Sequence, residues 1–230
     1  MQRRIYRTFT YCEAVLRICC SQFDAVTAEI VRQRHILEDY IRRDPEFQRS
    51  LVPIGLQADA PEIARHMAWA ADLVGVGPMA AVAGAMAQWS AKAALAAGAE
   101  EAIVDNGGDI YLKAVEPVII SLGTGTAKLA DRLAFQVEPD ETPISICSSS
   151  GKMGPSMSLG LCDLATIVAK DAALADAAAT QAANLVRTPD DVDAALERIM
   201  AIQGIAGVLI VKDDRIGLAG RLPRLIKTSG

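Results

Sequence analysis

Ala102-Ile-Val-Asp-Asn-Gly-Gly-Asp-Ile-Tyr-Leu-Lys113 is the stretch from which the rest of the chain can be read. A short apolar run, Ala102 to Val104, enters Asp105–Asn106, two glycines and Asp109. A second run, Ile110 to Lys113, leaves it. Two strands joined by an Asn–Gly turn are the simplest account, because Asn and Gly accept the positive φ that such turns need. Gly107 and Gly108 together also leave bare backbone that a ligand can approach.

Further strands flank this hairpin. Val118 to Leu122 follows it, and Ala134 to Val137 and Ile144 to Cys147 read as a pair around Pro139–Asp140. Ala165 to Val168 leads into a helix from Ala172 to Val186, and Pro189 opens another to about Ile202. Gly207 to Val211 and Ile216 to Leu218 close the chain around Asp213–Asp214. Upstream, Arg4 to Ser21 reads as two strands around Cys12–Glu13, rich in strand-favouring aromatics. Val26, Ile30, Leu37 and Ile41 share one face of a helix that Asp24 would cap and Asp44–Pro45 would stop. Asp59-Ala-Pro-Glu62 spells a second helix start with a reciprocal cap. Gly75-Val-Gly77-Pro78 breaks that helix from an alanine-rich one, Met79 to Ala97, stopped at Gly98. The same glycines spell a G-x-G-x-x-A fingerprint, but a helix precedes them where a dinucleotide site needs a strand. Helices and hairpins are segregated, which predicts α+β rather than a βαβ repeat. With no repeat or linker, residues 1–230 are expected to form one domain.

Composition narrows the function. The net charge of −5 and pI near 5.1 argue against nucleic acid as a partner. The basic clusters at the ends (Arg3, Arg4, Arg7; Arg221, Arg224, Lys227) read as solvated tails. The start carries no apolar leader, and Met79 to Ala97 is broken by Gln88, Ser90 and Lys92, so a cytoplasmic protein without a membrane span is expected. Five cysteines without a CxxC spacing predict free thiols. His35 and His66 have no ligand partner at metal-binding spacing, and structural roles are expected for them.

Two further segments can carry chemistry. Cys147-Ser-Ser-Ser-Gly-Lys-Met-Gly-Pro-Ser156 offers hydroxyls and glycines that could cradle an anion, although it lacks the spelling of a P-loop. A mobile polar loop fits it equally well. Asp176 and Thr180 stand one helical turn apart, so their oxygens share a side and suit Mg²⁺. Two polar residues on an exposed helix stripe would look the same.

Taken in order, the helix ending Ala96-Ala-Gly98, the strand into Asn106-Gly-Gly-Asp109, Ser149-Ser-Gly151 and Ala175-Asp-Ala-Ala-Ala-Thr180 resemble the ApbE family. Its better-known members are FAD:protein FMN transferases. The resemblance spans about half the chain, and its order is more specific than any single motif. It implies an ApbE-like fold of antiparallel sheets packed with helices, in two intimately packed halves. It implies Mg²⁺ on Asp176 and Thr180. It further implies an FAD or FMN groove lined by Asn106, Gly107, Gly108 and Asp109 and by Ser148, Ser149, Ser150 and Gly151. In such transferases a hydroxyl of an acceptor protein displaces AMP. Two departures stand out. The family's lysine would fall at Ala83, with Gly84 retained, and its H-I-x-D-P segment has no counterpart in Gly154 to Gly160. Three readings follow: a Mg²⁺-dependent flavin or phosphoryl transferase, a flavin-binding accessory protein without transfer chemistry, or a sulfur-assimilation factor using Cys147 and Cys162. Alanine-rich faces also allow a homo-oligomer.

Overall fold

The computed structural model describes residues 4–122, 133–151 and 161–227. Its centre is an eight-stranded sheet in which every neighbouring pair is antiparallel. The strands are β1 (Arg7–Tyr11), β2 (Ala14–Cys20), β3 (Ala102–Asn106), β4 (Asp109–Lys113), β7 (Ile144–Ser149), β8 (Leu164–Ala169), β9 (Ile205–Lys212) and β10 (Arg215–Gly220), in that spatial order. A three-stranded sheet holds β5 (Val118–Ser121), β6 (Leu133–Val137) and β11 (Arg224–Lys227), with β6 in the middle. The helices are α1 (Phe23–Arg43), α2 (Pro45–Arg49), α3 (Glu62–Val74), α4 (Val82–Ala96), α5 (Ala172–Leu185) and α6 (Val192–Met200).

Side-chain alternation along the strands divides the core in two. Val104, Tyr111, Cys147, Ala165 and Ile167 face the helices, in one cluster with Val26, Ile63, Met67 and the alanines of α4 and α5. Ile103, Ile110, Leu112, Ile146 and Leu164 face the small sheet, where they meet Val118, Ile120, Phe135 and Val137. The large sheet is thus covered on both sides, and β8 is buried along its whole length. This is the α+β arrangement of antiparallel sheets and helices that the motifs imply.

Several local expectations need correction. Asp24 lies inside the first turn of α1, whose cap position is Gln22, with no side-chain bond. Asp59 does not cap α3. Pro61 takes that position, and the Asp59 carboxylate pairs with Arg43 instead. The strands at Ala134 and Ile144 are not a hairpin, because β6 pairs with β5 and β11 whereas β7 pairs with β4 and β8. The Pro139–Glu141 turn carries the chain from one sheet to the other. The basic ends are not solvated tails either. Arg4 makes a two-pronged bond to Glu101 at 2.7 Å, Arg7 lies over the Phe23 ring, and Arg224 to Lys227 form a strand on β6. Among the described residues no single helix is long and apolar enough to cross a membrane.

Small residues let α4 and α5 come together. A Cβ built on Gly84 would lie 2.1 Å from the Ala172 carbonyl oxygen and 2.8 Å from the Asp176 Cβ. Backbone cannot yield as a side-chain tip can. Gly84→Ala should therefore cost about 3 kcal/mol, at the upper end of overpacking penalties. A melting temperature lower by about 6–12 °C is the expected result in thermal denaturation.

Candidate functional site

Three neighbouring strands bring the predicted motifs together at one end of the large sheet. Asn106 ends β3 and Asp109 starts β4, and the two are register partners across the Gly107–Gly108 turn. Asp109 is in turn opposite Cys147 on β7. Both glycines have positive φ, at 69° and 105°, and neither has an atom near the place a Cβ would take. The turn is bare backbone, but its central residues are Gly107 and Gly108 and not Asn106–Gly107, because Asn106 remains in β3 opposite Asp109.

On the helix side of this turn lie two carboxylates. Asp176, on α5, is buried, and one of its oxygens accepts the Gly84 N–H at 2.9 Å. Burial pushes its pKa up to about 7, although the N–H groups of Gly84 and Ala83 pull the other way. Asp109 is buried too and held well above the usual carboxylate range, by burial first and the Asp176 charge second. Its Oδ1 is the one buried side-chain oxygen or nitrogen among the described residues without a hydrogen-bond partner. An unpartnered buried oxygen costs about 1–3 kcal/mol, and a nearby charge of like sign adds to that. A cation or a shared proton relieves both. Thr180 is buried one turn further along α5. No group of three or more His, Cys, Asp or Glu arranged for a metal occurs among the described residues. Two carboxylates and a hydroxyl are oxygen donors that suit a hard cation such as Mg²⁺, which keeps several of its waters.

Ala83 and Asn106 complete this side. The Asn106 amide donates to the Ala83 carbonyl at 3.2 Å, while the Ala83 N–H acts on Asp176. The backbone of Ala83 is therefore engaged on both its polar groups.

The serine segment divides between the two faces of the sheet. Ser148 turns toward the small sheet and shares a 2.9 Å bond with Thr166. Ser149, its neighbour on the strand, alternates to the helix side. Ser150 is buried, and the Gly151 N–H is spent on the Cys162 carbonyl at 2.8 Å. Lys152 and Gly154 to Gly160 lie outside the described residues.

Both cysteines of the sulfur reading are buried, with sulfurs 3.6 Å from the Ala172 carbonyl and 3.5 Å from that of Val211. Burial, together with the Asp109 and Asp176 charges, pushes the Cys147 thiol well up, and burial takes Cys162 to about 12. Thiols so placed stay protonated and are poor nucleophiles.

On the other side of the Gly107–Gly108 turn is a cavity of about 350 Å³ between the two sheets. Arg17, Asp105, Ser121 and Ser148 supply its polar groups, and Ile110, Ile120, Leu122 and Ile146 its apolar walls. The motifs did not indicate Arg17 or Ser121, because they join the site only through strand pairing.

Behind the carboxylates a second polar network ties three helices. Asp171 caps α5 by accepting the Leu174 N–H at 3.0 Å. Its carboxylate also receives His66 Nε2 at 2.8 Å and Gln88 Nε2 at 2.9 Å. Trp89 Nε1 donates to His66 Nδ1 at 3.1 Å. An indole nitrogen can only donate, so His66 carries its proton on Nε2, facing Asp171. Both ring nitrogens are occupied, which gives His66 the structural role expected of it.

The two raised carboxylates set the pH dependence of stability. Their folded pKa values exceed the unfolded value near 4, so the folded state binds more protons between about pH 4 and 7. That contribution is complete below the unfolded value, and the part due to Asp176 is lost as pH rises through about 7. In metal-free buffer the urea midpoint should fall from pH 5 to pH 8. Asp109→Asn, which removes the repulsion, should flatten that slope; an equal slope in the variant would contradict the pairing.

Comparison with known proteins agrees with this architecture. A family model described as AbpE bacteria matches residues 14–216. A UPF0280 protein of Methanothrix thermoacetophila is 37% identical over 227 residues, covering 97% of this chain and 94% of its own. A UPF0280 protein of Methanocaldococcus jannaschii is 40% identical over 204 residues, with 86% and 82% covered. Among solved structures, the flavin transferase ApbE from Vibrio cholerae superposes with a TM-score of 0.58 at 15% identity, covering 94% of this chain and 96% of that one. The apo form of the Pseudomonas stutzeri flavinyl transferase ApbE gives 0.56 at 13%, with 94% of each chain covered. At such identities the likeness is one of fold. With the family model spanning nearly the whole chain, the protein belongs to the AbpE bacteria family and has an ApbE-like fold.

Proposed function

We propose that this protein binds a flavin nucleotide, FAD or FMN, together with Mg²⁺, where the Gly107–Gly108 turn separates the carboxylate pair from the intersheet cavity. The observation that carries this reading is the unpartnered Oδ1 of Asp109, buried beside Asp176. Asp176, Thr180 and Asp109 would hold the cation. When bound, Mg²⁺ offsets the negative charge of phosphate oxygens. The chain's own part is to position and to exclude water. Gly107 and Gly108 let a phosphate approach the backbone without meeting a Cβ. Asn106 fixes the turn to the start of α4 through the Ala83 carbonyl. Ser148 places a hydroxyl in the cavity beyond.

Holding the nucleotide is the reading preferred over transferring it. The position matching the family's lysine is Ala83, which presents backbone only. Neither ring nitrogen of His66 is open to a substrate. The ApbE proteins named above are flavin transferases, so a test must separate the two cases.

FAD titrated into the protein, with and without Mg²⁺, should quench Trp69 or Trp89 and bind more tightly when the cation is present, without release of AMP. Asp176→Asn keeps the shape but halves the charge of the pair, and should remove the Mg²⁺ effect on affinity. Thr180→Val should weaken it by about three- to ten-fold, the loss of one hydrogen-bonding ligand. Equal FAD affinity with and without Mg²⁺ would remove the cation from the reading, and AMP release would make the protein a transferase.

A further inference from the structure

The cavity between the sheets is unlike a phosphate cradle. Four large aliphatic side chains form its walls, Ile110 and Ile146 from the large sheet and Ile120 and Leu122 from the segment of the small one. These four side chains are at most 8% exposed, so they form a closed apolar floor on which the face of a flat ring can lie. The polar groups lie to one side of it. Arg17 and Asp105 are direct register partners on β2 and β3. They form no salt bridge with each other, although their charges interact. The Asp105 Oδ1 accepts the Gly108 N–H at 2.9 Å, and its other oxygen has no partner among the described residues. The Arg17 guanidinium stands 5.2 Å from the Tyr6 ring, a cation–π contact that fixes its position while leaving its N–H groups unpaired among the described residues. A donor group and an acceptor group therefore lie side by side at the rim of an apolar slot.

We propose that Arg17 and Asp105 form a specificity pair that reads the hydrogen-bonding edge of a flat heterocycle lying on this apolar floor beside the Gly107–Gly108 turn. The edge that fits has an N–H beside a carbonyl, as a pyrimidinedione ring does. Asp105 accepts from the N–H, and Arg17 donates to the carbonyl oxygen. A lone phosphate would meet the Asp105 carboxylate as well as Arg17, which weakens the case for an anion here. Tyr6 acts as a positioning residue for the guanidinium. The choice of a flavin ring as the occupant rests on the function proposed above, whereas the slot and its edge do not depend on the cation.

Riboflavin, which carries the ring without phosphates, tests this directly. Its fluorescence is followed during titration in metal-free buffer. The wild-type protein should bind it, and Arg17→Met and Asp105→Asn should each weaken binding about ten-fold, the effect of one lost hydrogen bond near 1.4 kcal/mol. Asp105→Asn keeps an oxygen for Gly108 N–H, so the turn is preserved. 3-Methylriboflavin, whose ring N–H is capped, should bind the wild type about ten-fold more weakly and the Asp105→Asn variant no differently from riboflavin. The proposal is overturned if wild-type protein does not bind riboflavin, if Arg17→Met and Asp105→Asn bind it as the wild type does, or if AMP displaces it and the two substitutions act on AMP instead. Riboflavin binding that depends on Arg17, alongside FAD binding indifferent to Mg²⁺, would overturn the cation and keep the slot.

Discussion

The Asp176 carboxylate caps a helix to which it does not belong. The start of α4 has no side-chain cap of its own, and Asp176 of α5 accepts the N–H of its third residue, Gly84. A negative charge at a helix N-terminus is favourable by up to about 2 kcal/mol when partly buried. The contact demands that α4 and α5 come within backbone distance, and a glycine at 84 is the condition for it. Most of the architecture on the helix side follows. Ala85, Ala87, Ala91 and Ala94 of α4 and every alanine of α5 are buried, small side chains that suit two helices held so closely over the sheet.

The same contact creates the electrostatic problem at the heart of the candidate site. Once Asp176 is drawn inward, Asp109 lies near enough to feel its charge, and both are removed from water. Stability alone would select an apolar or neutral residue at one of these positions. Keeping both carboxylates, one with an unpartnered oxygen, is the feature on which the proposed cation site rests. This strain is local, because β4 and β7 are anchored in the middle of an eight-stranded sheet and buried on both faces.

The Asp171 network gives the pair a rigid frame. It ties α3 through His66, α4 through Gln88 and Trp89, and the first turn of α5 through Leu174. Gln88 also accepts the Ala172 N–H, next to the carbonyl that Gly84 packs against. Asp176 is thus positioned at both ends of one short stretch of α5. The other face of the sheet needs no such network, since its walls are aliphatic and the small sheet holds them by packing.

Local patterns made much of this legible. Alternation and turn chemistry placed the β3–β4 hairpin and the bare Gly107–Gly108 turn, and helical spacing put Asp176 and Thr180 on one side of α5. Ordered motifs pointed to the ApbE-like fold. Signals that depend on one residue's choice among partners were less reliable. Asp24 and Asp59 each suit a cap by type, yet Asp59 was taken by Arg43, a choice only the folded chain presents. The β6 and β7 strands looked like neighbours because they are close in sequence, but each finds its partners in a different sheet.

By itself, the sequence determined most of the strands, helices and turns, and it placed oxygen donors and adjacent glycines in the segments that form the candidate site. Those properties arise from interactions between residues a few positions apart. Only the tertiary structure decided that Asp109 and Asp176 share one buried space, that Ser148 and Ser149 face opposite sides, and that Arg17 stands beside Asp105 at a cavity. The physical reason is that these relations are set by strand register and helix approach, which join distant parts of the chain and leave no local pattern in any of them.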